Sequence, residues 1–529
     1  MNKGFIPFRE THYFSDLICD YLDENSKVKP FYHRFPKIEN FKAQIEEKQT
    51  NYSQAHRKVL CTALEKQYKN CPTSERTQQN IKALRESTTF TITTGHQLNI
   101  FTGPLYFLYK IIATINLCKT LKSTYPGYNF VPVYWMATED HDFDEINFFN
   151  FKGKKLAWNT HASGAVGRLD TQGLEDVFEV FSKELDHSKN SDAIRNLFQN
   201  AYLQHDTLAT ATRALVNELF GKYGLVILDA DTIELKKTFI PFVKNDILNN
   251  TAFHTVSETN TGLENYKLQV NPREINLFYL TNNKRERIEA SNNRYSVVNT
   301  NLTFTKNEIE NEIEQHPERF SPNVILRPLY QEVILPNLCY IGGGGEIAYW
   351  LQLKHFFNSQ KVTFPILLLR NSVLLIAHKQ AEKLQKLKIS HRDLFLKKDA
   401  FINKKVREIS NLEIDFSPQK EHLKQQFEHL YHLAQQTDKS FYGAVKAQEV
   451  KQLKGLEKLE KRLLKAQKRK LADEVTRMVE IQNQLFPNQS LQERTMNFSE
   501  FYVQYGETLI KTLMENIKPL DANFLILEE

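Results

Sequence analysis

The sequence predicts an α/β fold: a parallel-sheet core with insertions, joined to a long basic α-helical arm. Three observations predict it. Short β-branched or apolar runs, bounded by turn residues, alternate with a helical pattern early in the chain. Around residues 260–305 the pattern becomes polar–apolar alternation. Beyond residue 440 a strongly basic stretch carries an apolar repeat of seven.

Each element follows in order. Residues 1–85 read as mostly helical and polar, with a period near 3.6 from Phe41 to Lys69. Thr88 to Thr94 is a β-branched run that predicts a buried strand, ended by Gly95. Tyr106 to Lys122 resumes a helical pattern, Pro126-Gly127 is a turn, and Phe130 to Trp135 is a second strand. That order is a βαβ unit, which requires a parallel sheet. Tyr223 to Asp229 and Phe364 to Leu369 are further strands of the fully buried kind. The 260–305 stretch predicts a small antiparallel insertion.

From Lys446 to Lys470, ten Lys/Arg stand against three Asp/Glu. Leu464, Leu471, Met478 and Leu485 recur every seven residues, a seam that predicts a coiled-coil hairpin and a dimer. Pro487 closes the arm, and the last forty residues predict a helix returning to the core. The expected organisation is a helical segment at 1–85 and a core at 86–378. The core carries insertions near 150–220 and 255–310. An arm follows at 379–487 and a terminal helix at 488–529.

Composition narrows the class. A chain of 529 residues with 41% hydrophobic residues can bury more than one core. A net charge of +6 over this length does not call for nucleic acid. Cys19, Cys61, Cys71, Cys118 and Cys339 are scattered and form no CxxC pair. That argues against a disulfide framework and a thiolate zinc site, and predicts a reducing compartment, the cytoplasm. The first residues lack a basic stretch followed by an apolar one, and the longest apolar run stops at Arg370. No secretory signal and no membrane span are therefore expected.

Five segments could carry chemistry. Gly95 to Tyr106 links a predicted strand to a helix, at the sheet edge where open α/β folds bind ligands. Gly95 and Gly103 permit close backbone approach, and Thr102 could cap the helix so that its first N–H groups face an anion. A simple turn with a satisfied His96 is the plainer alternative. Glu139 to Glu145 follows the second strand and holds five carboxylates and His141 in seven positions. Such a cluster must be solvated or must face cations. It could grip an ammonium group, hold Mg²⁺, or act as a general base. His316 to Glu332, containing Arg327, and the run Gly342 to Glu346 form the third and fourth segments. The glycines suit close approach to a ligand, although no GK[ST] follows to make a Walker loop. Gln492-Glu493-Arg494 with Asn497 is the fifth, read either as a helix-start ion pair or as a ligand contact.

Together these segments resemble the BshC family, cysteine ligases of bacillithiol biosynthesis. The matching strings are TGHQLNIFTGPLYFLYK, VYWMATEDHDFDEIN, HPERFSPNVILRPLYQEVILPNLCYIGGGGEIAYW and FPNQSLQERTMNF. They fall in order and cover most of the chain. The resemblance implies a Rossmann-like core similar to class I aminoacyl-tRNA synthetases, a coiled-coil arm used in dimerisation, and the joining of L-cysteine to the amine of glucosaminyl-malate. FTGPLY stands where synthetases carry a HIGH-type motif, and no KMSKS-type string is present.

Within that frame, amide formation from a free carboxylate needs an energy source, and ATP or another nucleotide is expected, with Mg²⁺ as its companion ion. Gly95, His96, Gln97, Thr102, Gly103 and Tyr106 are the expected nucleotide-binding residues. Asp140, His141, Asp142 and Asp144 are the expected catalytic set. Trp135, Glu145, Asn147, Arg327, Gln331, Glu346 and Arg494 are the expected substrate-binding set, with Arg327 or Arg494 taking a carboxylate such as that of malate. Two other classes stay open. One is a metal-dependent hydrolase acting through the Glu139–Glu145 loop. The other is a non-enzymatic scaffold or RNA binder acting through the basic arm.

Overall fold

The computed structural model describes residues 2–529. Its centre is a five-stranded parallel sheet. The strands are β1 (Thr89–His96), β2 (Asn129–Met136), β3 (Val226–Asp229), β4 (Asn337–Gly342) and β5 (Ile366–Leu369). Their spatial order is β5-β4-β1-β2-β3. Four of the five coincide with runs picked out in the sequence. The fifth, β4, does not, because its six residues lie between Pro336 and a glycine run and read as the approach to a loop.

β1 carries four threonines, yet it is buried between two neighbours. The hydroxyls make that possible. Thr91 and Thr93 donate to Asn337 Oδ1 at 3.3 and 2.8 Å, and Thr94 donates to the Ile341 carbonyl at 2.7 Å. β1 and β4 are thus locked together by side chains as well as by their ladder.

The chain runs outward from β1 to β2 and β3, then crosses back to start β4 on the other side of β1. That reversal opens a crevice at the carboxyl ends of β1 and β4, where doubly wound sheets bind ligands. Helix α1 (Tyr106–Thr124) makes the crossover from β1 to β2. It is apolar on nearly every face because the C-terminal segment covers its outer side. There Asn116 Nδ2 donates to the carbonyls of Met514 and Ile517 at 2.9 and 2.8 Å. Helices α2 (Leu326–Ile334) and α3 (Gly344–Leu351) flank β4.

Two smaller sheets complete the core. An antiparallel sheet runs in the order 303–304, 294–297, 285–291, 277–280, 320–322 and forms one wall of the crevice. The N-terminal strand Asn2–Pro7 pairs antiparallel with Asn523–Glu528, which in turn lies parallel to Val373–Ile376. The two ends of the chain therefore share one sheet.

The arm is a hairpin of helices α4 (Ser417–Ala434) and α5 (Lys439–Lys470), followed by α6 (Ala472–Leu485). The heptad seam does not form one continuous stripe. Leu471 stands between α5 and α6 with non-helical dihedrals. Leu464 packs on Val406 and Ile414, while Met478 and Leu485 lie in the main core. Three of the four seam residues are thus buried within the chain, and Leu471 is half-buried. The apolar residues left exposed on the arm are others, among them Leu430, Leu433, Phe441 and Leu459. Among the described residues no helix is long and apolar enough to cross a membrane.

Candidate active site

A cleft of about 730 Å³ opens at the carboxyl ends of β1 and β2, within the usual range for small-molecule sites. At its inner end lies a buried charge cluster. Lys110, on the otherwise apolar α1, is 1% exposed and contacts both Glu346 oxygens at 2.7 and 3.0 Å. It also donates to the Gly95 carbonyl. Burial pushes the Lys110 ammonium down, opposed by Glu346. Burial alone would push Glu346 up, but Lys110, the Tyr340 hydroxyl and the Gly343 amide together hold it below its usual range. The Glu346 carboxylate thus already caps the N-terminus of α3 through the Gly343 N–H at 2.9 Å.

Beside this cluster sits Arg327. Its Nη1 donates to Gln331 Oε1 at 3.0 Å and its Nη2 to the Tyr349 hydroxyl at 3.3 Å. The guanidinium lies 5.6 and 5.8 Å from the Tyr340 and Trp135 ring centroids. Among the described residues no carboxylate lies at ion-pair distance from it, so a half-buried cation faces the cleft unpaired. Its mount is rigid. Gln331 Nε2 donates to Glu332 Oε1 at 3.0 Å, and Glu332 pairs with Lys48 at 3.1 Å, both essentially unexposed. Gly95 keeps the approach open, because a Cβ there would come within 3.3 Å of the Tyr340 hydroxyl and 3.9 Å of Arg327 Nη1.

His96 closes the inner end against Tyr106 and Phe107. Its Nε2 is buried without a partner. Burial, reinforced by Lys110, pushes its imidazole from 6.5 down to about 3. A depressed value gives stability that is complete above the unfolded value and is lost as pH falls toward the folded one. Between about pH 7.5 and pH 5, His96 should therefore account for on the order of 2 kcal/mol of acid destabilisation. His96→Gln should lose less stability than the wild type over that interval in urea titrations. Equal losses in both proteins would exclude this linkage.

The outer end is built from the acidic loop and the antiparallel sheet. Asp140 accepts from Gln97 Nε2 at 2.9 Å, and the same amide reaches Glu145 at 2.8 Å. Glu139 is nearly buried and paired with Lys236, which also meets Asp231 at 3.2 Å. Arg285 Nη1 lies 2.8 Å from His141 Nδ1. A guanidinium only donates, so Nδ1 accepts and the ring proton sits on Nε2. Burial and the Arg285 charge both push the His141 imidazole down.

This chain matches the family described as "Bacillithiol biosynthesis BshC": its N-terminal Rossmann-like domain over residues 1–371 and its C-terminal coiled-coil domain over 373–529. The chain belongs to the BshC family. Relatives named "Putative cysteine ligase BshC" include proteins of Flavobacterium johnsoniae, 58% identical over 100% of both chains, and Christiangramia forsetii, 59% identical over 100% of this chain and 99% of that one. A third, from Cytophaga hutchinsonii, is 38% identical over 98% of this chain and 97% of its own.

In this BshC-family chain the cleft gathers nine of the residues singled out in the sequence: Gly95, His96, Gln97, Tyr106, Trp135, Asp140, His141, Arg327 and Glu346. Gln331 stands directly behind Arg327. Asp142, Asp144 and Glu145 are exposed outside it, and the Asn147 carbonyl accepts from the Trp158 amide at 2.7 Å. Arg494 is exposed near Tyr106 without lining the cleft. Among the described residues no group of three or more His, Cys, Asp or Glu is placed to hold a metal ion, which runs against the hydrolase alternative.

The second half of the 95–106 loop is structural. Thr102 does not cap α1, which begins at Tyr106 with Leu105 before it. Instead Phe101 plugs a cage of Phe149, Phe181, Phe198 and Phe498, and Asn497 donates to the carbonyls of Phe101 and Gly103 at 2.8 and 2.6 Å. The Leu105 amide donates to the Met496 carbonyl at 2.8 Å, so this N–H ahead of the helix is already taken by protein. Gly103 has φ +60°, and a Cβ there would meet the Asn99 Cβ at 2.6 Å. Gly103→Val should therefore cost about 2 kcal/mol or more of stability. A thermal melt measures this, and an unshifted melt would show that the turn relaxes freely.

Five residues of the site escaped the sequence reading: Lys110, Tyr340, Arg273, Arg285 and Arg287. Lys110 had a signal, a lone lysine in the apolar run YFLYKIIATINL. Arg285 had none, since it stands among other charges in NNKRERIEA.

Proposed function

We propose that the cleft joins L-cysteine to the amino group of glucosaminyl-malate, the reaction that completes bacillithiol. The observation that carries this reading is Arg327, a rigidly mounted guanidinium with no carboxylate partner at the switch point of the sheet. A planar fork with free donors suits a substrate carboxylate. The names of the relatives supply cysteine as one substrate, and the family description supplies the pathway.

An amide does not form from a free carboxylate and an amine in water without activation, so a nucleoside triphosphate is proposed as co-substrate. Gly95, His96, Gln97 and Tyr106 border the space beside Arg327, and the unpartnered His96 Nε2 suits a polar ligand there. Asp140 faces the same space and would hold the incoming amine. His141 cannot accept a proton at Nδ1 while Arg285 donates to it, so its part is that of an Nε2–H donor. We place the protein in the cytoplasm, as a homodimer through the exposed apolar residues of the arm, such as Leu430, Leu433 and Phe441.

Mass spectrometry of low-molecular-weight thiols tests the reading. A strain lacking the gene should accumulate glucosaminyl-malate and contain no bacillithiol. Normal bacillithiol in that strain would refute it.

A further inference from the structure

The cleft holds a second guanidinium with no carboxylate at ion-pair distance, Arg285, at the end opposite Arg327. Arg285 Nε donates to Ser321 Oγ at 3.0 Å, Nη1 to His141, and Nη2 to the Pro322 carbonyl at 3.0 Å. Its plane rests 4.0 Å from the Phe278 ring centroid. All three acceptors are neutral. A guanidinium has five N–H donors, so two remain unused. Among the described residues no carboxylate lies at ion-pair distance from Arg285.

Glu139, Asp140 and Asp231 act on it only from beyond ion-pair distance, and they have closer partners. Glu139 is committed to Lys236, and Asp140 accepts from Gln97 and from the His141 amide. The antiparallel insertion adds further cations to the same wall. Arg273 and Arg287 both line the cleft. Arg287 has only a loose surface contact with Glu289 at 3.5 Å, and the Arg273 backbone is fixed through its amide to Asn276 Oδ1 at 3.1 Å. Three guanidiniums along one wall, one of them held on three sides, suit a ligand that carries more than one negative charge.

We propose that Arg285, with Arg273 and Arg287, forms a second anion subsite that takes the dicarboxylate end of the acceptor. This rests on the functional reading above and refines it. Arg327 then takes the carboxylate of the amino acid at the sheet edge. The insertion recognises the malyl group, which does not react. The division explains why an antiparallel sheet is inserted over a parallel one at this place: it supplies the specificity wall.

Nucleotide phosphates share this anion chemistry, and the test separates the two. Calorimetric titrations with glucosaminyl-malate and with ATP are run on the full-length wild type, Arg285→Gln and Arg287→Gln, with thermal melts alongside. Arg285→Gln should weaken glucosaminyl-malate about ten-fold or more, and Arg287→Gln by a smaller factor, with ATP affinity and the KM for cysteine unchanged. Weakened ATP with unchanged glucosaminyl-malate would overturn the subsite in favour of phosphate. Unchanged affinities in both variants would overturn it outright. Should Arg285→Gln fail to fold, unchanged affinity in the surface variants Arg273→Gln and Arg287→Gln would overturn it equally. A wild type that binds no glucosaminyl-malate would bring down the functional reading as well, an outcome distinct from wild-type binding that the variants retain.

Discussion

Arg327→Met should abolish most activity while leaving the protein as stable as before, or more so. A cation taken partly out of water without a countercharge is a cost to the folded state. Here the cost is offset by Gln331, Tyr349, the rings of Trp135, Tyr340 and Trp350, and Glu346 from beyond ion-pair distance. Methionine keeps much of the aromatic contact and removes the unpaired charge. A carboxylate bound by that fork, however, loses its charge-assisted donors, and kcat/KM should fall about 100-fold or more. Arg327→Lys keeps the charge without the fork and should fall between the two. Steady-state kinetics and a thermal melt of the same preparations decide the matter. Full activity in Arg327→Met, or a melting temperature lowered by many degrees, would show that the residue holds the fold and not a substrate.

The same residue shows what the sequence could and could not reveal. β1, β2, β3 and β5 were legible because strands buried on both faces are written as short β-branched or apolar runs between turns. β4 was hidden because its identity depends on a partner. Asn337 is polar in sequence but saturated by Thr91 and Thr93 across the sheet. The seven-residue repeat was genuine as a pattern, but the break at Leu471 turns its two halves toward different neighbours. In the site, residues next to strand ends are legible, and Arg327 and Glu346 both line the cleft. Burial could not be read: Gly103 and Thr102 look like ligand-binding residues until Phe101 is seen to anchor the turn. Arg285 reaches the cleft only because a distant insertion folds back over it, and local sequence carries no trace of that.

The fifth segment, Gln492-Glu493-Arg494, turns out to bind the two halves of the chain together, and this yields the largest expected change in stability. Arg370 directly follows β5 and Glu493 lies in the coiled-coil half, with side chains 4% and 0% exposed and 2.7 Å apart. Glu493 also accepts from Ser372 Oγ at 3.0 Å and from the Val373 amide at 3.1 Å. Within the coiled-coil half, Gln492 pairs with both the amide and the carbonyl of Leu375 at 3.0 Å, as a strand would, and so fixes the segment that carries Glu493. Removing only the cation leaves a carboxylate stranded in the interior. Arg370→Met should therefore cost about 3–5 kcal/mol, well beyond what a surface pair is worth. The loss should be specific to the stranded charge, so Arg370→Met with Glu493→Met should recover a large part of it. All three tryptophans, Trp135, Trp158 and Trp350, lie in the Rossmann-like half, so their fluorescence follows that half alone, while far-ultraviolet circular dichroism follows the helices of both. In Arg370→Met the two urea transitions should move to lower denaturant and separate, because the halves no longer unfold as one. A single variant that loses less than about 1 kcal/mol, or a double variant no better than the single, would show that the buried pair does not hold the halves together.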